Sequence, residues 1–195
     1  DVQHNVGWLL KRTAQTRPDQ LGIAFPKGRS PDGKRQYQML SFKELDEDSD
    51  RIAAGLLESG IPTGSRVALL VPQSIEFVSL VFALFKAGMV QILIDPGMGR
   101  RNMVNCLSAA KPEAMVAIPA AHMVCRLLRR RFSHVKHLIT VGRRWGWGGS
   151  TLDQLRGSPL KPDSVRAVKP SESAAVIFTT GSTGPPKGVL YLSLI

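Results

Sequence analysis

The densest chemistry in this 195-residue chain lies near its C-terminal end, in AAVIFTTGSTGPPKGVLY, Ala174 to Tyr191. An apolar, strand-like run leads into Thr179, Thr180, Gly181, Ser182, Thr183 and Gly184, and Lys187 follows after two prolines. Glycines allow backbone conformations closed to other residues, so successive N–H groups can converge on one anion. The four hydroxyls add donors and Lys187 adds a point charge. Such a set suits a polyphosphate: it positions and neutralises, and supplies no nucleophile. The spacing excludes a Walker A loop, which needs Gly directly before its Lys and Ser or Thr directly after. Here Pro186 precedes Lys187 and Gly188 follows it, which disfavours a GTPase or a P-loop kinase.

The elements that must hold this loop are legible upstream. Val6 to Thr16 reads as a helix, with Asn5 as its cap and Pro18 as its stop. LGIAF (Leu21 to Phe25) and YQML (Tyr37 to Leu40) read as a hairpin around the turn Pro31-Asp32-Gly33. Ser41 and Glu44 form a capping box for a helix running to Gly60, with Leu45, Ile52, Leu56 and Leu57 on one face. Strands at Arg66 to Val71, Val90 to Ile94, Ala114 to Ile118 and His137 to Val141 then alternate with helices at Ser74 to Ala87, Arg101 to Ala110 and Ala120 to Arg131. Continuous apolar strands at this spacing predict a parallel βαβ sheet covered by helices on both faces. After a Gly/Pro/Ser/Lys-rich connector, Gly142 to Pro170, with a short helix at Leu152 to Arg156, a strand restarts at Ala174 to Thr179. The reading divides the chain into an α/β subdomain over 1–170 and, over 171–195, a strand, the phosphate-binding loop and the start of a next subdomain.

Composition narrows the classes. A hydrophobic fraction of 43% excludes disorder for most of the chain. The apolar window Phe77 to Ile94 is interrupted by Lys86, Gly88 and Gln91, so it reads as a helix followed by a buried strand rather than a membrane span. No cleavable signal stands at the start, where Asp1 occupies the place of a basic n-region. Cys106 and Cys125 are too few for a disulfide framework, which points to a reducing, cytoplasmic setting. His4, His122, His134 and His137 have no metal-ligand spacing, and no metal site is expected from protein residues. Asp95 stands at a strand's carboxyl end, where α/β proteins place functional residues, but Asp-Pro-Gly is also turn chemistry. Trp145 and Trp147 read either as the lining of an acyl tunnel or as packing of the connector.

The formal charge of +11 is local. Residues 100–170 hold 14 Lys/Arg against 3 Asp/Glu, whereas the rest of the chain holds 12 of each. Arg126, Arg129, Arg130 and Arg131 fall at the expected end of a helix, where cations complement the dipole. The cluster reads as a solvated face or a contact for a further domain. Its strongest specific alternative is attraction of an acidic partner protein. An anionic membrane is also compatible, as is nucleic acid, although the latter is disfavoured.

Taken whole, FTTGSTGPPKGV resembles the phosphate loop of the adenylate-forming superfamily of acyl-CoA synthetases, non-ribosomal peptide synthetase adenylation domains and luciferases. That loop runs Ser/Thr-Ser/Thr-Gly-Ser/Thr-Thr-Gly-x-Pro-Lys-Gly. LSFKELDEDSDRIAAGL resembles the superfamily's first core motif and LFKAGMVQILIDP its second, so the resemblance covers Val6 to Tyr191. Within it, IDPGMGRRNMVNCLSAAKPEAMVAIP and TVGRRWGWGG are most similar to synthetases that turn a long-chain β-hydroxy acid into a β-lactone for olefin biosynthesis.

The resemblance implies ATP-dependent activation of a long-chain fatty or β-hydroxy fatty acid as an acyl adenylate. Thr179, Thr180, Gly181, Ser182, Thr183, Gly184 and Lys187 would hold the β- and γ-phosphates, with Lys187 and Thr183 as the catalytic pair, Mg²⁺ alongside, and CoA or an internal hydroxyl as acceptor. It also implies that the adenine-binding aromatic segment with its metal-binding Glu, the ribose-binding Asp and a C-terminal-domain Lys lie downstream of Ile195. This makes the chain an N-terminal fragment, expected to be inactive alone. The superfamily's usual His five residues after Gly188 is Ser193 here, in the tail YLSLI. A non-catalytic homologue and a basic nucleic-acid or anionic-surface module are the alternatives.

Overall fold

The apolar window that imitates a membrane span resolves into helix α3, Ile75–Lys86, and strand β4, Val90–Ile94, in the computed structural model, which describes residues 4–159, 165–179 and 187–193. Ser74 caps α3 by accepting from the Phe77 N–H, and Gly88 ends it with φ 65°, a conformation that costs glycine little. Among the described residues no helix is long and apolar enough to cross a membrane.

The chain opens with α1, Val6–Thr16, and a hairpin of β1, Leu21–Arg29, and β2, Arg35–Ser41. The hairpin is longer than its apolar residues suggest. Antiparallel pairing continues through Pro26↔Tyr37 to Arg29↔Arg35, and Gly33 turns the chain at φ 81°. Helix α2, Phe42–Glu58, begins at the expected capping box: the Ser41 side chain accepts from the Glu44 N–H, and Glu44 accepts from the Ser41 N–H.

Six further elements follow β3, Arg66–Leu70, α3 and β4: α4, Arg100–Ala110; β5, Ala114–Ala117; α5, Pro119–Leu127; β6, His137–Thr140; a two-residue β7, Ser150–Thr151; and α6, Leu152–Arg156. The last strands are β8, Ser173–Thr179, and β9, Lys187–Leu192. The seven-stranded sheet has the order β7-β6-β5-β3-β4-β8-β9, parallel throughout except for antiparallel β9. Of the tail that departs from the superfamily pattern, Tyr191 and Leu192 belong to β9, with Tyr191 opposite Ala175, and the Ser193 N–H donates to the Glu172 carbonyl.

Both faces of the sheet are covered. Leu80 and Leu84 of α3 join Ile52 and Leu56 of α2 and Leu152 and Leu155 of α6 on one side. Leu107 and Ala110 of α4 pack with Phe132 on the other. Gly55 is where α2 and α6 meet: a Cβ there would stand 2.7 Å from the Leu155 backbone. Because α3 and α4 lie on opposite faces, the winding direction reverses between β3 and β4, and the carboxyl ends of those strands splay around a crevice.

One sequence reading needs correction, and another residue gains a role. Helix α5 ends at Leu127 rather than Arg131, and Leu128, with φ −98° and ψ 27°, begins successive turns that carry Phe132 down onto the sheet. Burial of that aromatic ring outweighs continued helix. Only Arg126 therefore sits in the last turn to complement the dipole, and Arg129, Arg130 and Arg131 lie beyond it. Lys86, read as an interruption of the apolar window at a helix end, is the last residue of α3, and its side chain has no exposed surface and joins an ion cluster with Asp46 and Asp50.

Candidate nucleotide-phosphate site

Strand β8 delivers Thr179 to the carboxyl edge of the sheet, and β9 leaves from Lys187 directly opposite. The Thr179↔Lys187 register places the two residues side by side and on one face, since opposite residues of an antiparallel pair share a face. Thr180, Gly181, Ser182, Thr183 and Gly184, with both prolines, lie outside the described residues. The structure thus brings together the two ends of the expected loop, one bearing a hydroxyl and the other an ammonium, both exposed.

One residue further on, Gly188 faces Phe178 across the strand pair. A Cβ on Gly188 would stand 2.9 Å from the Phe178 ring, so the glycine after the lysine lets that ring lie across β9. This is a packing role which the loop chemistry alone does not reveal.

A cavity of about 340 Å³ opens beside Thr179 at the carboxyl ends of β3, β4 and β8. Leu69, Val71, Phe77, Leu93 and Ile177 give it an apolar wall, and Gln73, Asp95 and Thr179 give it polar groups. It occupies the switch-point crevice, the general ligand position of open α/β sheets. Val71, Gln73 and Phe77 carry no motif, and only the strand order identifies them. Asp95 does double duty: its N–H donates to the Phe178 carbonyl at 3.3 Å, and its carboxylate accepts from the Gly97 N–H at 2.8 Å. Its side chain is therefore engaged in a turn at the rim of the cavity.

A second cavity, of about 150 Å³, lies on the opposite face under α5, lined by Met115, His122, Cys125, Phe132, Leu138 and Trp147 among others. The Trp147 indole donates to Thr140 Oγ1 at 2.9 Å and meets the His122 ring at a tilt of 42°, so this tryptophan packs the connector against the sheet. His122 Nε2 donates to the Ile139 carbonyl at 2.9 Å, and burial holds the imidazole below its ordinary pKa. Burial pushes the Cys125 thiol up to about 11 from 9.0, and Cys106 shifts in the same direction. The thiolate is the reactive form, so a two-unit rise leaves roughly a hundredfold less of it at pH 8. Cys125 is accordingly expected to alkylate with iodoacetamide on the order of a hundred times more slowly than an exposed thiol, as mass spectrometry of timed samples would show.

Among the described residues no group of three or more His, Cys, Asp or Glu is placed to hold a metal ion. The exposed donors of Thr179 and Lys187 fit phosphate oxygens.

A profile of the AMP-binding enzyme family matches residues 10–192. Olefin β-lactone synthetases of Stenotrophomonas maltophilia and Xanthomonas campestris pv. campestris are each 45% identical to this chain over 96% of its length, and the chain spans about a third (34%) of theirs. Among solved structures, an anthranilate CoA ligase with anthranoyl-AMP superposes with a TM-score of 0.81 at 18% identity, over 99% of this chain and 35% of that one. A long-chain-fatty-acid-CoA ligase from Archaeoglobus fulgidus gives 0.81 at 18% identity, over 97% and 37%. These two show the fold. With the profile spanning nearly all of the strands and helices described above, the chain belongs to the AMP-binding enzyme family.

Proposed function

We propose that this chain is the phosphate-holding part of an enzyme that activates a long-chain fatty or β-hydroxy fatty acid with ATP. The observation that carries the reading is the Thr179↔Lys187 pair: it ties both ends of a Ser/Thr/Gly-rich loop to adjacent strands at the carboxyl edge of a parallel sheet, beside the switch-point cavity. The β-lactone synthetases named above support the acyl class.

A carboxylate is a poor acyl donor because oxide would have to leave. In this reading one of its oxygens attacks the α-phosphorus of ATP, the bond from that phosphorus to the bridging oxygen breaks, and pyrophosphate departs with its electron pair. The acyl carbon then carries AMP as leaving group, and CoA or the substrate's own hydroxyl displaces it. The part played by this chain is electrostatic. Lys187 and the hydroxyls and N–H groups of Thr179 to Gly184 hold the β- and γ-phosphates and meet the charge that grows on pyrophosphate, with Thr183 and Lys187 as the catalytic pair. Both cysteines being free thiols supports a reducing, cytoplasmic setting.

ATP–pyrophosphate exchange tests the reading. The 195-residue chain alone is expected to show none, and a protein carrying these residues at the relatives' length is expected to exchange with long-chain acids. Absence of exchange with every such acid from the longer protein would sink the proposal. AMP release from a β-hydroxy acid without CoA assigns the internal hydroxyl as acceptor, and a CoA requirement assigns the thiol.

A further inference from the structure

We propose that the outer face of α5 and the loop after β6 form a docking surface for an anionic lipid membrane. From residue 114 to residue 152, between Glu113 and Asp153, 39 residues carry no Asp or Glu and seven Lys or Arg. In the same stretch Met123, Val124, Leu127, Leu128 and Trp145 are exposed, Leu127 at 77% and Trp145 at 53%. Met123 and Leu127 are one helical turn apart, as are Val124 and Leu128, so the four make one apolar strip. Met123, Arg126, Leu127 and Arg129 border a single shallow depression of about 500 Å³, which shows the cations and the strip to be contiguous. Trp145 stands in the loop after β6, its ring 6.1 Å from that of buried Trp147, which lies 5.5 Å from His122 on the inner side of α5.

Among the described residues Arg126, Arg129, Arg130 and Arg143 make no ion pair. Arg131 bonds Asn105 and Arg144 bonds the Gly149 carbonyl, and neither contact neutralises charge.

Charge alone would serve nucleic acid or an acidic protein equally well. The aliphatic strip decides for a membrane: a nucleic-acid backbone has no use for four large apolar side chains, whereas at a bilayer they enter the acyl boundary while arginine heads stay among the phosphates and a tryptophan sits at the interface. The surface lies toward the β6–β7 edge of the sheet and Thr179 and Lys187 at the β8–β9 edge, so docking leaves the loop free.

The test is co-sedimentation of the chain with vesicles of phosphatidylcholine containing roughly 30% phosphatidylglycerol, against pure phosphatidylcholine. Binding to the anionic vesicles alone, weakened by salt, is expected. Arg129→Gln with Arg130→Gln should cut it about 25-fold, at about fivefold per near-surface cation. Leu127→Asp should cut it by roughly tenfold or more, since an inserted leucine is lost. Leu127 is largely exposed, so circular dichroism should show that variant folded, and Arg35→Gln on β2 should bind as the parent does. A blue shift of fluorescence on binding should vanish in Trp145→Phe. Equal binding to both vesicles, or unchanged binding by Leu127→Asp, overturns the proposal. So does capture by polyglutamate or duplex DNA without partition to anionic vesicles, which would give the surface to an acidic protein or a nucleic acid.

Discussion

Lys86→Met should cost about 3–5 kcal/mol of folding stability, a fall in melting temperature of roughly 10 °C or more for a chain of this size. The Lys86 ammonium is fully buried and donates to Asp46 Oδ1 at 2.6 Å, Asp50 Oδ1 at 2.5 Å and the Asp46 carbonyl at 2.9 Å. Lys11 of α1 completes the cluster on Asp50 Oδ2 at 3.1 Å. Methionine keeps most of the volume but strands two carboxylates between α2 and α3 with one cation for both. The cost is thus chiefly the burial of uncompensated charge, not lost packing. Converting the partners as well, in Lys86→Met/Asp46→Asn/Asp50→Asn, should recover a large part of it, because removing all members of a buried ion cluster is far milder than removing one. Differential scanning calorimetry of the two variants separates these effects. If both melt with the parent, the cluster does not hold the helices together.

Lys187→Ala, made in a protein of the relatives' length, should lower the rate of adenylation by about 10²–10³, the usual consequence of deleting one preorganised donor to developing charge. Its stability should stay within about 0.5 kcal/mol of the parent, since the side chain is exposed and makes no ion pair among the described residues. Arginine at this position should restore only part of the rate, because a planar fork does not reproduce a compact ammonium. Initial rates of ATP–pyrophosphate exchange at saturating ATP are the measurement, with chemical denaturation alongside. Equal turnover by Lys187→Ala removes the residue from the site.

These two lysines mark what each level of description can reach. The role proposed for Lys187 rests on its neighbours along the chain: glycines, hydroxyls and a spacing that excludes one phosphate loop and resembles another. The same holds for the capping box at Ser41 and Glu44 and for the alternation of apolar strands with helices, which are local patterns with local causes. Lys86 was not legible. Its partners stand 40 and 36 positions away, and only the packing of α2 on α3 makes the cluster.

The end of α5 was misread for a related reason: helix propensity continues through Arg131, but burial of Phe132 competes with it from outside the segment. The switch-point cavity lay equally out of reach, since Val71, Gln73 and Phe77 become its lining only once β4 and β5 have settled on opposite sides of β3. The same order of strands decides which residues turn outward on α5 and so which part of the +11 charge lies beside apolar surface. The sequence by itself therefore determined the family and the parallel architecture, because short-range periodicity and motif spacing encode them, and the same spacing is what the proposed phosphate-loop chemistry rests on. Strand order, the buried ion cluster, the cavity and the basic apolar face were decided by the tertiary structure, because each arises from contacts between segments far apart in the chain.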